Sequence, residues 1–222
     1  MLASFFLFAR PCLAVMAILK QGFMNMANRE LSPTMRFLAG IIRAPFVTGA
    51  IAPSSRLLAR RMVLTSRVDQ ASAILELGPG TGVVTREILA FKRADATVLA
   101  IERSRDFADE LARQYPDVHV VKDCASQLRH HSKQLGWDGA DSIVSALPWT
   151  NLPEPLQENI LREAAAFLRD DGVFVTISCF GLHLAPTGRR FRRLLESLFS
   201  SVERRDLILR NIPPAFIYRC SK

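Results

Sequence analysis

Ile74-Leu75-Glu76-Leu77-Gly78-Pro79-Gly80-Thr81-Gly82 couples an apolar, strand-forming run that ends in an acid to a tight glycine loop, and a helical pattern begins at Val83. In an α/β protein this is how a parallel strand delivers its carboxyl end to a ligand crevice. Glycine lets the loop turn sharply and lets backbone approach a bound molecule with no Cβ in between. The spacing is Gly-x-Gly-x-Gly, not the dinucleotide Gly-x-Gly-x-x-Gly. It points to a cofactor without a pyrophosphate to cradle.

Two further acids follow the next two strand patterns. Thr97-Val98-Leu99-Ala100-Ile101 ends in Glu102, twenty residues past Gly82, about the distance at which an acid on the second strand binds a ribose diol. Val118-His119-Val120-Val121 is followed by Asp123, where a carboxylate can meet an adenine amino group. A glycine loop alone is weak evidence. With acids after the next two strands it indicates a nucleoside cofactor. The bland alternative is a structural turn with two helix-capping acids.

At these residues the chain resembles the class I S-adenosylmethionine-dependent methyltransferases. Glu76-Leu77-Gly78-Pro79-Gly80-Thr81-Gly82 looks like the first motif of that family, and the similarity extends over roughly residues 73–222. The resemblance implies S-adenosylmethionine as cofactor, held by Glu76, Gly78, Gly80, Thr81 and Gly82. Glu102 would take the ribose and Asp123 the adenine, with Cys124 and Ser145 beside them. A Rossmann dehydrogenase is the competing structure. The glycine spacing and the third-strand acid count against it.

Outward from the loop, strand and helix patterns alternate. The helices are expected over 56–64, 83–91, 104–115, 125–135, 155–168 and around Phe191, Leu194, Leu195, Leu198 and Phe199. The fourth strand is expected over 141–147 and the fifth over 172–179. Such alternation predicts a doubly wound, mostly parallel α/β sheet. The last two β-rich runs, 202–209 and 215–220, are joined by residues 210–214. That link is too short for a parallel crossover, so the two must pair antiparallel. The result is a seven-stranded sheet closed by a terminal antiparallel hairpin, as in the class I methyltransferase fold, with an N-terminal helical extension.

The chain has 222 residues and a net charge of +8, enough for one such domain with a full core. Cys12, Cys124, Cys179 and Cys220 lack metal-ligand spacing. Cys124 and Cys179 sit in or beside apolar strands and read as buried thiols in a reducing compartment. No metal site is expected. Residues 1–67 hold nine Lys/Arg and one acid, whereas 68–222 hold twenty of each sign. The chain therefore divides into a basic arm, 1–67, and a catalytic domain, 68–222. Basic arms meet nucleic acid or anionic membrane. Residues 1–26 are very apolar, but Arg10-Pro11 interrupts them, so they make a poor membrane span and no regular signal peptide. Ser32-Pro33 opens a helix that Pro45 stops. Its Met35, Phe37, Leu38, Ile41 and Ile42 lie opposite Arg36 and Arg43, the pattern of a helix lying in a bilayer interface or of one packed on the domain.

Ser145-Ala146-Leu147-Pro148-Trp149 follows the fourth strand, at the edge of the same crevice. Amino-directed methyltransferases often carry Asn-Leu-Pro-Tyr or a relative here, whose polar side chain accepts from a planar nucleobase amine. Ala146 offers no such acceptor, which weakens nucleic acid as a partner. Ser145, Leu147, Pro148, Trp149 and Tyr218 stand as the catalytic set, with Trp149 as an aromatic wall for an amine and the proton acceptor open among the Ser145 or Pro148 carbonyls, Tyr218 and water.

Together with Gly49-Ala50-Ile51-Ala52-Pro53-Ser54-Ser55 and Asn211-Ile212-Pro213-Pro214-Ala215-Phe216-Ile217-Tyr218, this motif resembles the bacterial phospholipid N-methyltransferases. The resemblance implies stepwise methylation of phosphatidylethanolamine to phosphatidylcholine at the cytoplasmic face of the membrane. The enzyme would be peripherally associated with an anionic surface. Arg43, Ser54, Ser55, Arg56 and Asn211 are the expected lipid-binding residues. Trp149, where an aliphatic residue is expected, and the apolar leader depart from the family pattern. The runner-up is an rRNA adenine dimethyltransferase, opposed by Ala146 and by the lack of the helical domain that usually follows its sheet. A third reading, a catalytically silent membrane- or RNA-binding module, is opposed by the intact cofactor constellation.

Overall fold

A computed structural model describes residues 55–211 and 213–222. The expected helix over 33–44, Arg43, Ser54 and Cys12 lie outside them. In chain order the elements are α1 (Arg56–Thr65), β1 (Ala73–Leu77), α2 (Val83–Phe91), β2 (Thr97–Glu102), α3 (Arg105–Gln114), β3 (His119–Lys122), α4 (Leu128–Gln134), β4 (Ala140–Ser145), α5 (Glu154–Phe167), β5 (Leu168–Cys179), α6 (Pro186–Leu198), β6 (Ser201–Ile208) and β7 (Ala215–Ser221). They build one seven-stranded sheet in the order β3-β2-β1-β4-β5-β7-β6. Strands β1 to β5 are parallel. β7 runs antiparallel to both β5 and β6, as the short 210–214 link requires.

Both faces of the central strands are covered. On one side Leu58, Met62, Val84, Ile88 and Leu111 from α1, α2 and α3 pack on Ile74, Val98, Val144 and Val175. On the other, Leu128, Ile160, Leu161, Phe191 and Leu195 from α4, α5 and α6 pack on Leu75, Leu99, Ile143 and Phe174. The alternation of 74, 98 and 144 with 75, 99 and 143 is the two-residue period of a strand. A strand buried on both faces needs apolar residues at nearly every position. All five residues of β1 are buried.

Two expectations change. First, α1 is part of this domain. Leu58, Ala59, Met62 and Val63 are fully enclosed, and Arg60 lies over the Phe91 ring at 5.2 Å. The folded unit therefore takes in residues 55–67, and a boundary at 67/68 is too late. Of the nine cations in 1–67, four (Arg56, Arg60, Arg61 and Arg67) belong to the domain, which leaves five before it. Second, the expected helix over 125–135 divides into a 3-10 turn, Ala125–Gln127, and α4. Cys124, beside it, is only half-buried.

Parallel strands fed by helices leave their carboxyl ends along one rim. Backbone bonds fasten it: Gly78 N to Ile101 O at 3.0 Å, Asp123 N to Glu102 O at 3.1 Å, and Ala146 N to Leu77 O at 3.1 Å. The glycine loop, the two acids and the fourth-strand motif meet there.

Candidate active site

Glu76 sits in β1 between two core leucines and faces the α2 side. Its carboxyl is fully buried, and its Oε2 accepts a 2.7 Å bond from the Thr85 hydroxyl on α2. Its Oε1 has no partner. Burial pushes its pKa up to about 8, offset in part by the Thr85 hydroxyl and raised further by the nearby charge of Glu102. A buried carboxyl with a free oxygen is costly unless something meets it.

The loop above it turns through left-handed backbone at Gly78 (φ 71°), Gly80 (φ 55°) and Gly82 (φ 77°). The first two glycines do different work. A Cβ on Gly78 would come within 2.6 Å of Leu147 Cδ2, so this position lets the fourth-strand loop press onto the glycine loop. A Cβ on Gly80 would meet nothing within 4 Å; this backbone fronts open space. Gly82 is the N-cap of α2 and packs beneath Leu111 and Tyr115. Thr81 is exposed at the tip.

Glu102 ties β2 to the loop. Its Oε2 accepts from Gly80 N at 3.0 Å and its Oε1 from Ser104 N at 2.8 Å. Each oxygen keeps a second lone pair for a hydroxyl. Asp123 is held from two sides: Oδ1 accepts from Cys124 N at 2.6 Å, and Oδ2 lies 2.8 Å from His131 Nε2. The His131 hydrogen bond, with that of the Cys124 amide, holds this carboxyl below the usual aspartate range. His131, on α4, is a residue that sequence spacing does not single out. Only its place on the helix after the third-strand acid hints at it. The orphan oxygen of Glu76, the open face of Gly80 and the two anchored carboxylates fit a cationic nucleoside.

The acceptor loop is locked from behind by a second residue that carries no sequence signal, Thr176 on β5. Its hydroxyl accepts from Trp149 Nε1 at 2.7 Å and donates to the Ser145 carbonyl at 3.0 Å. The Ser145 hydroxyl accepts from Leu147 N at 3.4 Å. Pro148 opens the 3-10 turn Trp149–Asn151, and its carbonyl accepts from Asn151 N at 2.9 Å. The carbonyls of Ser145, Leu147, Pro148 and Trp149 all accept bonds inside this structure. That of Ala146 enters none of those bonds.

Four expected roles are corrected by this geometry. Trp149 is no wall of the crevice. It is 2% exposed, stacks on Phe191 at 5.5 Å and packs edge-on to Phe174. The 3-10 turn points its indole back into the core, where its N–H finds Thr176. Tyr218 is 1% exposed on β7, between Phe191 and Phe216. Burial raises its pKa, and no substrate proton reaches it. Asn211, 2% exposed, is a clamp: Oδ1 accepts from Ser55 N at 2.9 Å and Nδ2 donates to Pro213 O at 2.7 Å. Ser55 is the cap of α1, accepting from Leu58 N. Thus Ser55 and Asn211 do meet, but to fasten α1 to the β6–β7 turn. Arg56 remains exposed at that end and bonds Glu87 at 3.1 Å.

The ornithine lipid N-methyltransferase of Singulisphaera acidiphila is 30% identical over 187 residues, which cover 83% of this chain and 93% of that protein. The ribosomal RNA small subunit methyltransferase A of Chlamydia trachomatis is 29% identical over 90 residues. That match takes in 40% of this chain and 31% of the other. Among solved structures, the O-methyltransferase from Bacillus cereus superposes with a TM-score of 0.61 at 15% identity, covering 90% of this chain and 96% of that one. The likeness at that identity is one of fold. No protein-family model matches the chain.

Proposed function

The chain belongs to the family of the Singulisphaera acidiphila ornithine lipid N-methyltransferase, and on that premise we propose that it is an S-adenosylmethionine-dependent methyltransferase whose acceptor is the primary amine of a membrane amino-lipid. S-adenosylmethionine supplies an activated methyl group. The protein's part is to bind, orient and exclude water. Glu102 would hold the ribose diol through the lone pairs that Gly80 and Ser104 leave free. Asp123 would take the adenine amine, and Gly80 would give the methionine moiety room. Glu76, whose Oε1 has no partner, would offer that oxygen to the cationic end.

The protein's contribution to the transfer would be to hold the acceptor amine against the activated methyl group, and orientation alone can contribute about 7–11 kcal/mol to such a step. The Ala146 carbonyl is the group we assign to hold it, because its neighbours' carbonyls are already engaged. Leu147, pressed on Gly78, and Pro148 shape the opening. The amine reacts neutral, and water beside this loop takes its proton.

The observation that carries the reading is the pairing of an acid-and-glycine rim with an acceptor loop whose Ala146 has no polar side chain. A nucleobase amine would leave a donor unmatched there, at a cost of about 1–3 kcal/mol. A small alkyl amine asks only for a carbonyl. Phosphatidylethanolamine and ornithine lipid both present one. We place phosphatidylethanolamine first, with product up to phosphatidylcholine, because its compact head group suits a loop walled by Leu147 and Pro148. The five cations before residue 55 bring the enzyme to the anionic cytoplasmic face of the membrane as a peripheral protein. The deciding experiment is mass spectrometry of lipids from a host lacking both phosphatidylcholine and ornithine-lipid methylation. Mass gains of one to three methyl groups on an amino-lipid support the reading and identify the lipid. Unchanged lipids alongside labelled small-subunit RNA would overturn it.

A further inference from the structure

The rim of the sheet has two halves of opposite character. Over β1, β2 and β3 it carries Glu76, Glu102 and Asp123. Over β5, β7 and β6 it carries leucines. Among the described residues, seven large hydrophobic side chains are exposed, and six cluster here: Leu57, Phe180, Leu182, Leu184, Leu207 and Leu209. They come from three segments that the structure ties together. Phe180 follows the last residue of β5, and its N–H donates to Pro214 O at 2.7 Å. Cys179 pairs with Ala215 and Ala215 with Ile208, which brings the β6–β7 turn beside that loop. Asn211 in this turn takes Ser55 N at the start of α1, so Leu57 borders the same end.

The exposure is high where it counts, 54% at Phe180 and Leu184 and 69% at Leu209. The register between β6 and β7 shifts between Arg205 and Ile208, with Asp206 at φ 42°. Such a bulge re-aims the side chains that follow it. The charge is one-sided as well. Segments 180–189 and 207–214 contain two arginines, Arg189 and Arg210, and no Asp or Glu, although 68–222 as a whole is balanced.

We infer that this half of the rim is a membrane-insertion surface: the 180–184 loop, the β6–β7 turn and the first turn of α1 sink their leucines and Phe180 into the acyl boundary of an anionic bilayer. Arg189 and Arg210 meet its phosphates. The surface abuts the acceptor loop, since Ser145 pairs with Thr176 three residues before β5 ends. A lipid can then rise from the bilayer beside β5 to reach Ala146 while its tails stay among the leucines. This rests on the proposed lipid acceptor and adds where the bilayer lies. Acid-free apolar loops of this kind bind by buried apolar area plus attraction to anionic lipid.

The test uses the full chain with vesicles of equal parts phosphatidylglycerol and phosphatidylethanolamine, without methyl donor, at high salt to mute the basic arm. The variant Leu184→Ser/Leu207→Ser/Leu209→Ser should lower vesicle partitioning on the order of a hundredfold, since all three side chains are near or above half exposed. In parallel, Leu209→Trp should gain fluorescence that brominated lipids quench. Unchanged partitioning in the triple variant, or a Trp at 209 that brominated lipid leaves unquenched, overturns the inference. So does unchanged partitioning with a wild-type dimer that the triple variant converts to monomer, which would assign the surface to a second copy. Because no methyl transfer is read, failure of the acceptor assignment leaves these outcomes intact.

Discussion

Replacing Glu76 with glutamine should make the protein more stable and a poorer cofactor binder. The Glu76 carboxyl is wholly enclosed and titrates near 8, against 4.5 for an ordinary glutamate. Between those values the folded protein keeps a proton that the unfolded chain has lost, so stability is full below about pH 4.5 and falls as pH rises through 8. At about 1.4 kcal/mol per pKa unit the loss reaches about 3 kcal/mol by pH 7 and about 5 kcal/mol above pH 8. Glutamine has the same shape and no proton to lose. Wild type and Glu76→Gln should therefore melt together near pH 4 and diverge above it. At about 2–4 °C per kcal/mol for a chain of this size, the gap at pH 7 is about 6–12 °C. Circular dichroism melts from pH 4 to 9 without methyl donor measure it. Calorimetry in buffers of different ionisation enthalpy should then show wild type releasing a proton as it binds S-adenosylmethionine near pH 7, and the variant releasing none. A gap in melting temperature that does not change with pH would refute the neutral buried carboxyl.

Three other outcomes are expected. Gly80→Val should abolish S-adenosylmethionine binding by calorimetry while the sheet still folds, whereas Gly78→Ala should lower the melting temperature because its Cβ strikes Leu147. Trp149→Ala should cost about 3–5 kcal/mol of stability as a core deletion, yet Trp149→Phe, which loses the bond to Thr176 and part of the packing on Phe191 but keeps an aromatic ring in the core, should leave cofactor affinity near wild type. His131→Ala should raise the Asp123 titration toward the ordinary aspartate value, seen by carboxyl NMR. The stability drawn from that carboxylate, present above its unfolded pKa, should then fade at a higher pH as acid is added.

The sheet was legible because its signals are local. Apolar runs ended by Glu102, Asp123 and the Gly78–Gly82 loop mark strand ends, and the short link after residue 210 forces an antiparallel pair. What misled was direction. A Pro-Trp pair after a strand does not disclose that a 3-10 turn will swing the indole inward onto Thr176, a partner 27 residues away. The helix over 56–64 is legible, but summing charge over 1–67 hid that it belongs to the domain, because its arginines interleave with an enclosed face of Leu58, Ala59, Met62 and Val63. Asn211 is expected to bind lipid from the motif around it. Its purpose, capping the start of a helix 156 positions earlier, is a tertiary contact with no local trace. Glu76 stood out for its place in the motif, but its missing hydrogen-bond partner belongs to the packed interior alone.

The strand order carries a consequence for synthesis. β7, the last strand in chain order, lies between β5 and β6. While residues 215–221 are still inside the ribosome, β6 has no neighbour to join, and β5 presents its long edge to solvent. The β6–β7 turn, with its cluster of leucines, takes its position only when β7 slides into that slot. A nascent chain can thus assemble its acid-bearing half first, from β1 to β4, and acquires its apolar rim in a single closing event. Loss of the final strand would undo two interfaces at once and leave two unpaired edges, an invitation to aggregation.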